Sequence, residues 1–366
     1  MPVSSDSMPE VAEAPASIPQ QPAGPAVLVL GATGFIGQAL VKRLLQDGLK
    51  VRALVRRRGD DNRRRGISPL RPGVECVNGD LADTASIELA LSGIQHVFHL
   101  ASGRGPTWAD YQRQYVEPTR RLAELCCAQG ITLHYTSSIA IYDGSDVAEV
   151  ITESTPPSLA ALRLNLYARA KMANENLLSD MHRQRGLKVV VYRPGIVIGP
   201  QGEPRHPGVG AWPNASTCRP WGGGNHRLPF VLVDDCADAM ARALRLPAVA
   251  GQSFNLVGYA SLTGNEYLDA LQRAASTTIA RQPLPAWRLF AQSLVKWALN
   301  RQPQRPERSL PSYRYGEGLS CRATYSAEQA KQKLGWDSCA YPSELIARGI
   351  VLPVAAQSTP PLGPGH

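Results

Sequence analysis

Short runs of β-branched and apolar residues alternate along the chain with longer stretches whose apolar positions recur at helical spacing. Ala26 to Leu30, Lys50 to Val55, Val74 to Val77, Val97 to Leu100, Leu133 to Thr136 and Lys188 to Tyr192 read as strands, and Phe35 to Gln46 as the first helix. Strand and helix in alternation predict an α/β fold, a doubly wound parallel sheet with helices on both faces. Proline and glycine become dense from Pro194 to Gly224; strand-like Phe230 to Val233, a helix from Asp235 to Leu246 and strand-like Ser253 to Val257 then resume. The sheet domain is therefore expected over 26–193, with 228–258 returning to it, and 194–227 together with 259–350 should form a smaller, interleaved C-terminal region. Residues 1–25, rich in Pro, Ala, Ser and Gln, and residues 351–366 are expected to be disordered tails.

Composition narrows this picture. A chain of 366 residues with 43% hydrophobic content can bury a full core. The net charge of +9 sits largely in two clusters, Arg56 to Arg58 and Arg63 to Arg65, and no recognisable nucleic-acid module accompanies it, so no nucleic-acid partner is expected. The 7 cysteines are odd in number and include no CxxC pair and no zinc-like His/Cys spacing, which supports neither a disulfide framework nor a metal site. There is no signal-peptide pattern and no apolar run of about 18 residues, so the expected location is cytoplasmic.

Val27-Leu28-Val29-Leu30 runs directly into Gly31-Ala32-Thr33-Gly34-Phe35-Ile36-Gly37, and a helix follows. Strand, glycine-rich turn and helix together form the Rossmann dinucleotide-binding arrangement. Gly31 permits the tight turn, Gly34 lets the backbone approach a pyrophosphate, Gly37 lets helix and strand pack, and the helix start presents its positive dipole end. Thr33, Phe35 and Ile36 belong to the same turn. At the end of the second strand an acid would accept from a ribose 2′-OH, whereas an arginine pairs with a 2′-phosphate. Val55 stands where the acid is expected and Arg56 follows, which favours NADP(H) and leaves NAD(H) open; a solvated basic loop is the competing reading.

With that turn, Gly79-Asp80-Leu81, His99-Leu100-Ala101, Tyr167-Ala168-Arg169-Ala170-Lys171 and Tyr192-Arg193-Pro194-Gly195 stand in the order and spacing of the extended short-chain dehydrogenase/reductases. The chain resembles their NAD(P)-dependent epimerase/dehydratase group over about residues 26 to 350, through Phe230 to Asp235, Phe254 to Gly258 and Leu334-Gly335-Trp336. The resemblance implies that Asp80 and Leu81 flank an adenine, Leu100 and Ala101 the cofactor ribose and phosphate region, and Pro194 to Val197 the nicotinamide; ordinary strand-end packing is the alternative for Leu100, Ala101 and Val197.

Tyr167 and Lys171, four apart, share one helix face. A lysine ammonium favours phenolate and so lowers the phenol from its usual value of about 10. Ser138 ends the apolar strand 29 residues upstream, where its hydroxyl can bond a reacting oxygen, and the family pattern places the catalytic serine there, with Ser137 its neighbour. In this reading Tyr167 exchanges the carbinol proton, Lys171 also binds the nicotinamide ribose, and Ser138 orients the substrate oxygen. Two departures stand out. The family commonly has Asn-Val-x-Gly-Thr where this chain has Tyr115-Val116-Glu117-Pro118-Thr119, and sugar-nucleotide dehydratases resemble Thr-Asp-Glu where this chain has Ser137-Ser138-Ile139, which lacks the carboxyls that eliminate water. An NAD(P)-dependent oxidoreductase acting at a secondary alcohol or ketone is expected, with a nucleotide-sugar epimerase showing no net redox change, or a non-catalytic NADP-binding module, as alternatives.

Arg193 to Pro200 is similar to the 3β-hydroxysteroid dehydrogenase and dihydroflavonol-reductase-like branches. The substrate is left as a small molecule, a sugar nucleotide, a steroid-like compound or another hydroxy or keto compound. Trp212, Trp221, His206 and His226 fall in the variable stretch that would line its pocket. A helix at 286–300 places Trp287, Phe290, Leu294 and Trp297 on one face and Arg288, Gln292 and Lys296 on another, which fits either packing on its own domain or peripheral contact with anionic lipid. A homodimer is also left open.

Overall fold

The computed structural model describes residues 26–56, 70–103, 105–142, 149–159, 165–283, 286–299 and 323–358. Seven parallel strands form its central sheet: β1 (Ala26–Leu30), β2 (Lys50–Val55), β3 (Val74–Asn78), β4 (His96–His99), β5 (Thr132–Thr136), β7 (Val189–Pro194) and β13 (Ser253–Leu256), in the spatial order β13-β7-β5-β4-β1-β2-β3. The order reverses beside β1, which pairs with β2 (Leu30 opposite Leu54) and with β4 (Leu30 opposite His99). The carboxyl ends of these strands therefore open a crevice at the switch point, where ligands bind in sheets of this kind.

Residues on both faces of the central strands are buried, which is why these strands read as continuous apolar runs rather than as an alternation. One core cluster joins Val27, Val29, Leu40, Leu44 and Val51 to Met240, Phe254 and Trp336, and a second joins Leu28, Leu30, Leu122, Leu133, Tyr135 and Leu178 on the other face. The first is closed by the helix Phe35–Gln46 packed on Val233–Ala243. That second helix starts at Val233, earlier than the Asp235 expected from the pattern, because Asp234 and Asp235 occupy its first turn, where a carboxylate opposes the helix dipole favourably.

Shorter strands build the rest: β6 (Val150–Ile151), β8 (Ile196–Ile198), β9 (Gly210–Asn214), β10 (Thr217–Pro220), β11 (Arg227–Leu228), β12 (Phe230–Leu232), β14 (Leu262–Thr263), β15 (Ala280–Arg281) and β16 (Thr324–Tyr325). The pairs β8 with β12 and β11 with β14 cover a third cluster around Phe230, Tyr267 and Leu271.

The C-terminal tail expectation requires correction. Leu352–Ser358 is helical and buries Val354 in that third cluster, since three apolar residues of Leu352-Pro353-Val354 continue the helical turn from Ala347–Val351; residues 359–366 of the expected tail, residues 1–25 and Arg57, Arg58 and Arg63 to Arg65 lie outside the described residues. The helix expected at 286–300 spans Ala286–Leu299 and leaves Trp287, Val295 and Leu299 exposed.

Candidate active site

The glycine turn is sterically committed. Gly31 has φ +87, and a Cβ there would lie 2.9 Å from the Ala101 backbone nitrogen. At Gly37 a Cβ would lie 2.1 Å from the Gly31 carbonyl oxygen, so only glycine lets the helix Phe35–Gln46 sit this close to the end of β1. That helix has no side-chain cap at Gly34 and no acidic residue in its first turn, whereas Asp83, Thr107, Asn165 and Thr263 cap other helices with side-chain oxygens. An uncapped helix start beside a backbone too crowded for side chains fits a dinucleotide pyrophosphate. Thr33 turns away to accept from Gln38 Nε2 through its carbonyl at 3.1 Å.

The same turn opens into a cavity of about 1050 Å³. Gly31, Gly34, Phe35, Ile36, Gly37, Leu100, Pro194 and Val197 line it together with Ser138, Tyr167 and Lys171. The hydroxyls of Thr136 and Ser137, which also line it, are buried without a hydrogen-bond partner, a donor supply suited to a polar ligand. Arg56 is exposed directly after β2, two residues beyond the Leu54 that pairs with Leu30. Asp80 follows β3 with its Oδ1 accepting from Ala82 N at 2.9 Å, and Leu81 is half-buried against the core. Arg56, Asp80, Leu81 and Ala101 thus stand at the crevice of the strand ends but outside the cavity lining.

The helix Leu166–Arg185 carries Tyr167 and Lys171. Asn165 caps it by accepting from Tyr167 N at 3.0 Å and Ala168 N at 3.2 Å, and Gly186 ends it in the left-handed conformation. Lys171 Nζ lies 5.5 Å from the Tyr167 ring centroid and donates to the Thr136 carbonyl and to the Tyr115 hydroxyl, both at 2.7 Å. Burial holds this ammonium down to about 7, opposed by the nearby carboxylate of Glu175. Glu175 is paired in turn with Arg193, whose Nη2 lies 2.6 Å from its Oε2 with both groups buried, and Arg193 Nη1 donates to Tyr142 Oη at 2.6 Å and to the Glu153 carbonyl at 3.0 Å. Ser138 Oγ accepts from Ala140 N at 3.2 Å, fixing the short turn Ile139–Tyr142 at the end of β5.

The far end of the cavity is assembled from Tyr142, Asn165, His206, Trp221, His226, Arg227, Leu228 and Tyr325. His206 Nδ1 accepts from Gly208 N at 2.9 Å, so the neutral ring carries its hydrogen on Nε2, and burial keeps it neutral by lowering its pKa. The indoles of Trp212 and Trp221 donate to the carbonyls of His206 and Pro207 at 3.2 and 2.8 Å, and hold that segment in place. Of the four variable-stretch residues singled out in the sequence, His206, Trp221 and His226 line the cavity, while Trp212 packs beneath. Asn165 and Tyr325 escaped notice: an N-cap signal two residues before Tyr167 could have disclosed the first, whereas nothing local marks the second. Among the described lining residues the one carboxylate is Glu203, engaged with Arg205, in keeping with the absence of a dehydratase Asp-Glu pair.

Residues 27–256 match the NAD dependent epimerase/dehydratase family. The chain is 26% identical over 325 residues to a 2-alkyl-3-oxoalkanoate reductase of Shewanella oneidensis, covering 85% of this chain and 81% of the relative. It is 33% identical over 196 residues to cinnamoyl-CoA reductase 1 of Arabidopsis thaliana, covering 50% and 56%. The solved structure of MoeE5 in complex with UDP-glucuronic acid and NAD superimposes with a TM-score of 0.67 at 23% identity over 91% of this chain and 100% of its own, a likeness of fold. The chain belongs to the NAD dependent epimerase/dehydratase family and is an enzyme of the NAD-dependent oxidoreductase or epimerase kind.

Proposed function

We propose that this enzyme is an NADP(H)-dependent reductase that interconverts a ketone and a secondary alcohol on an acyl-type substrate. The observation that carries this reading is the single cavity in which the glycine turn at one end and Ser138, Tyr167 and Lys171 midway face the same space. When bound, the nicotinamide cofactor supplies or accepts the hydride. Gly31 to Gly37 and the helix start at Phe35 hold its pyrophosphate, Pro194 and Val197 border its nicotinamide, and Arg56 pairs with a 2′-phosphate. Ser138 holds the substrate oxygen. Tyr167 gives that oxygen its proton in reduction and takes it back in oxidation. Lys171 keeps two of its three N–H groups on Thr136 and Tyr115, which leaves the third for the cavity it lines.

An acyl ketone suits the far end better than a sugar nucleotide. Leu228, Pro229, Ile196, Trp221 and Ala323 give it an apolar surface beside the polar groups of Tyr142, Asn165, His206 and Tyr325, and the cation of the described far wall, Arg227, is turned onto the Ser261 carbonyl and hydroxyl at 3.0 and 3.2 Å. Two similar proteins are named reductases of such ketones or thioesters. The test is NADPH absorbance at 340 nm with a panel of 2-alkyl-3-oxoalkanoates and 3-oxoacyl thioesters. Net oxidation supports the reading, whereas conversion of a sugar nucleotide with no net absorbance change establishes an epimerase in its place. Replacing Arg56 by Ala should lower the preference for NADP over NAD by about tenfold, the worth of one charge-assisted hydrogen bond; an unchanged ratio rules out a phosphate contact there.

A further inference from the structure

Lys171 does not stand alone in the core. Behind it lies a buried polar network on five elements: Tyr115 on the wide turn Gln112–Val116, Thr119 on the helix Glu117–Ala128, Tyr135 on β5, His99 on β4 and Asn174 on the helix of Lys171 itself. Each of them is at most 1% exposed. Lys171 Nζ donates to Tyr115 Oη at 2.7 Å, and Tyr115 Oη lies 3.0 Å from Tyr135 Oη. Asn174 Nδ2 donates to Tyr135 Oη and Thr119 Oγ1, both at 3.3 Å, and Thr119 Oγ1 donates to the Tyr115 carbonyl at 2.7 Å. With its hydrogen so directed, Thr119 accepts from His99 Nε2 at 2.9 Å, which leaves His99 Nδ1 buried without a partner. The network thus closes on itself inside the core.

The local backbone is shaped around Tyr115. Pro118 has no N–H to give a regular helical ladder, and the chain takes a five-residue wide turn just before it. Gly103 packs so closely that a Cβ there would lie 2.6 Å from the Tyr115 Cβ, so the bulk of the tyrosine is accommodated by a glycine from a different loop. An asparagine commonly stands at this position in the family pattern.

We propose that Tyr115 is a positioning residue for the reaction: its neutral phenol oxygen is the fixed acceptor that holds the Lys171 ammonium charged and aimed at Tyr167. The inference rests on the reductase reading for the purpose of that ammonium, and on geometry alone for the contact. Tyr115 cannot take the proton away. Burial raises its phenol well above the ordinary value, and among the described residues the chain of hydrogen bonds stops at fully buried Tyr135 and His99, so the group orients and stabilises rather than relays. The other groups facing the ammonium are the Tyr167 and Tyr135 rings, centred 5.5 and 5.3 Å away, the Arg193-bound Glu175, and neutral His99, held neutral by its own burial and by Lys171.

The test is a pH titration of the Lys171 Cε and Nζ NMR signals in lysine-labelled protein, identified by their loss in Lys171→Met. It is read beside phenolate absorbance at 295 nm, with Tyr167→Phe as the blank. Tyr115→Phe should lower the Lys171 midpoint by about one unit, a tenfold loss of ammonium at a given pH, and raise that of Tyr167. Tyr115→Gln keeps a neutral oxygen and should titrate like the unmodified protein. Tyr135→Phe leaves the Tyr115 oxygen in place and should shift Lys171 less than Tyr115→Phe. An unmoved Lys171 midpoint in folded Tyr115→Phe overturns the proposal. Should that variant fail to fold, a Tyr115→Gln midpoint displaced by a full unit overturns it, and a retained one supports it. A protein that reduces no ketone at all would remove the reductase reading while leaving these titrations to decide the contact.

Discussion

The two ends of the cavity are built in different ways. The proposed cofactor end comes from one continuous stretch, β1 through Gly37, braced by strands and a helix whose closest contacts allow no side chain. The far end is gathered from Tyr142, His206, Trp221, Arg227 and Tyr325, segments scattered over much of the sequence and held by side-chain bonds to carbonyls. One end is fixed by backbone sterics, the other by replaceable side chains. The first should therefore tolerate almost no substitution, and the second should absorb changes that alter what is bound more than whether the chain folds.

The sharpest way to break this contrast lies at the seam. Tyr167→Phe should lower kcat by about 10²- to 10⁴-fold with an unaltered circular dichroism spectrum, since general acid-base catalysis is lost while the helix keeps its Asn165 cap. Retained turnover would show that the proton comes from elsewhere.

Next in size is a stability effect with a defined sign. The folded-state value of Lys171, about 7, lies below the ordinary 10.5, so between those values the unfolded chain binds the proton more tightly. Stability of the unliganded protein should rise with pH across that window, by up to a few kcal/mol. Lys171→Met lacks this dependence, so the difference in melting temperature between it and the unmodified protein should drift steadily in favour of the latter from pH 7 to 10. A constant difference would show that the folded amine keeps its proton over this range as fully as the unfolded chain does.

At the cofactor end, Gly37→Ala forces a methyl against the Gly31 carbonyl and should cost about 1–3 kcal/mol, read as weaker NADPH binding by fluorescence and a lower melting temperature together. At the far end, His206→Ala should raise KM for the ketone by about fivefold, the loss of one neutral hydrogen bond, and leave the NADPH affinity unchanged. A His206 variant that loses cofactor would erase the distinction between the ends.

The strand, glycine turn and helix of the proposed cofactor end were legible in the sequence because their determinants are local: an apolar strand, three glycines and a helix start close together, with β1 and β2 beginning and ending where the pattern puts them. The Tyr167 and Lys171 pair was legible for the same reason, being one helical turn apart. Tyr115 was legible only as a departure from a pattern, since its contact with Lys171 joins residues 56 apart and depends on Pro118 widening a turn and on Gly103 giving way. The far wall was less visible, because Tyr325 reaches it through the pairing of β16 with β6, a short-strand contact that no periodicity announces. The helix Leu352–Ser358 was hidden by Pro353 and by a flanking composition that resembles a tail.

The buried pair of Arg193 with Glu175 also shapes the electric field at the phenol. A bare carboxylate one helical turn beyond Lys171 would cancel most of the ammonium's pull on Tyr167, in a setting where water screens little. With Arg193 drawn against it, Glu175 becomes one pole of a compact dipole. The ammonium is left as the uncompensated charge that Tyr167 feels, and the loop carrying Glu153 is tied to the same guanidinium that keeps that field in place.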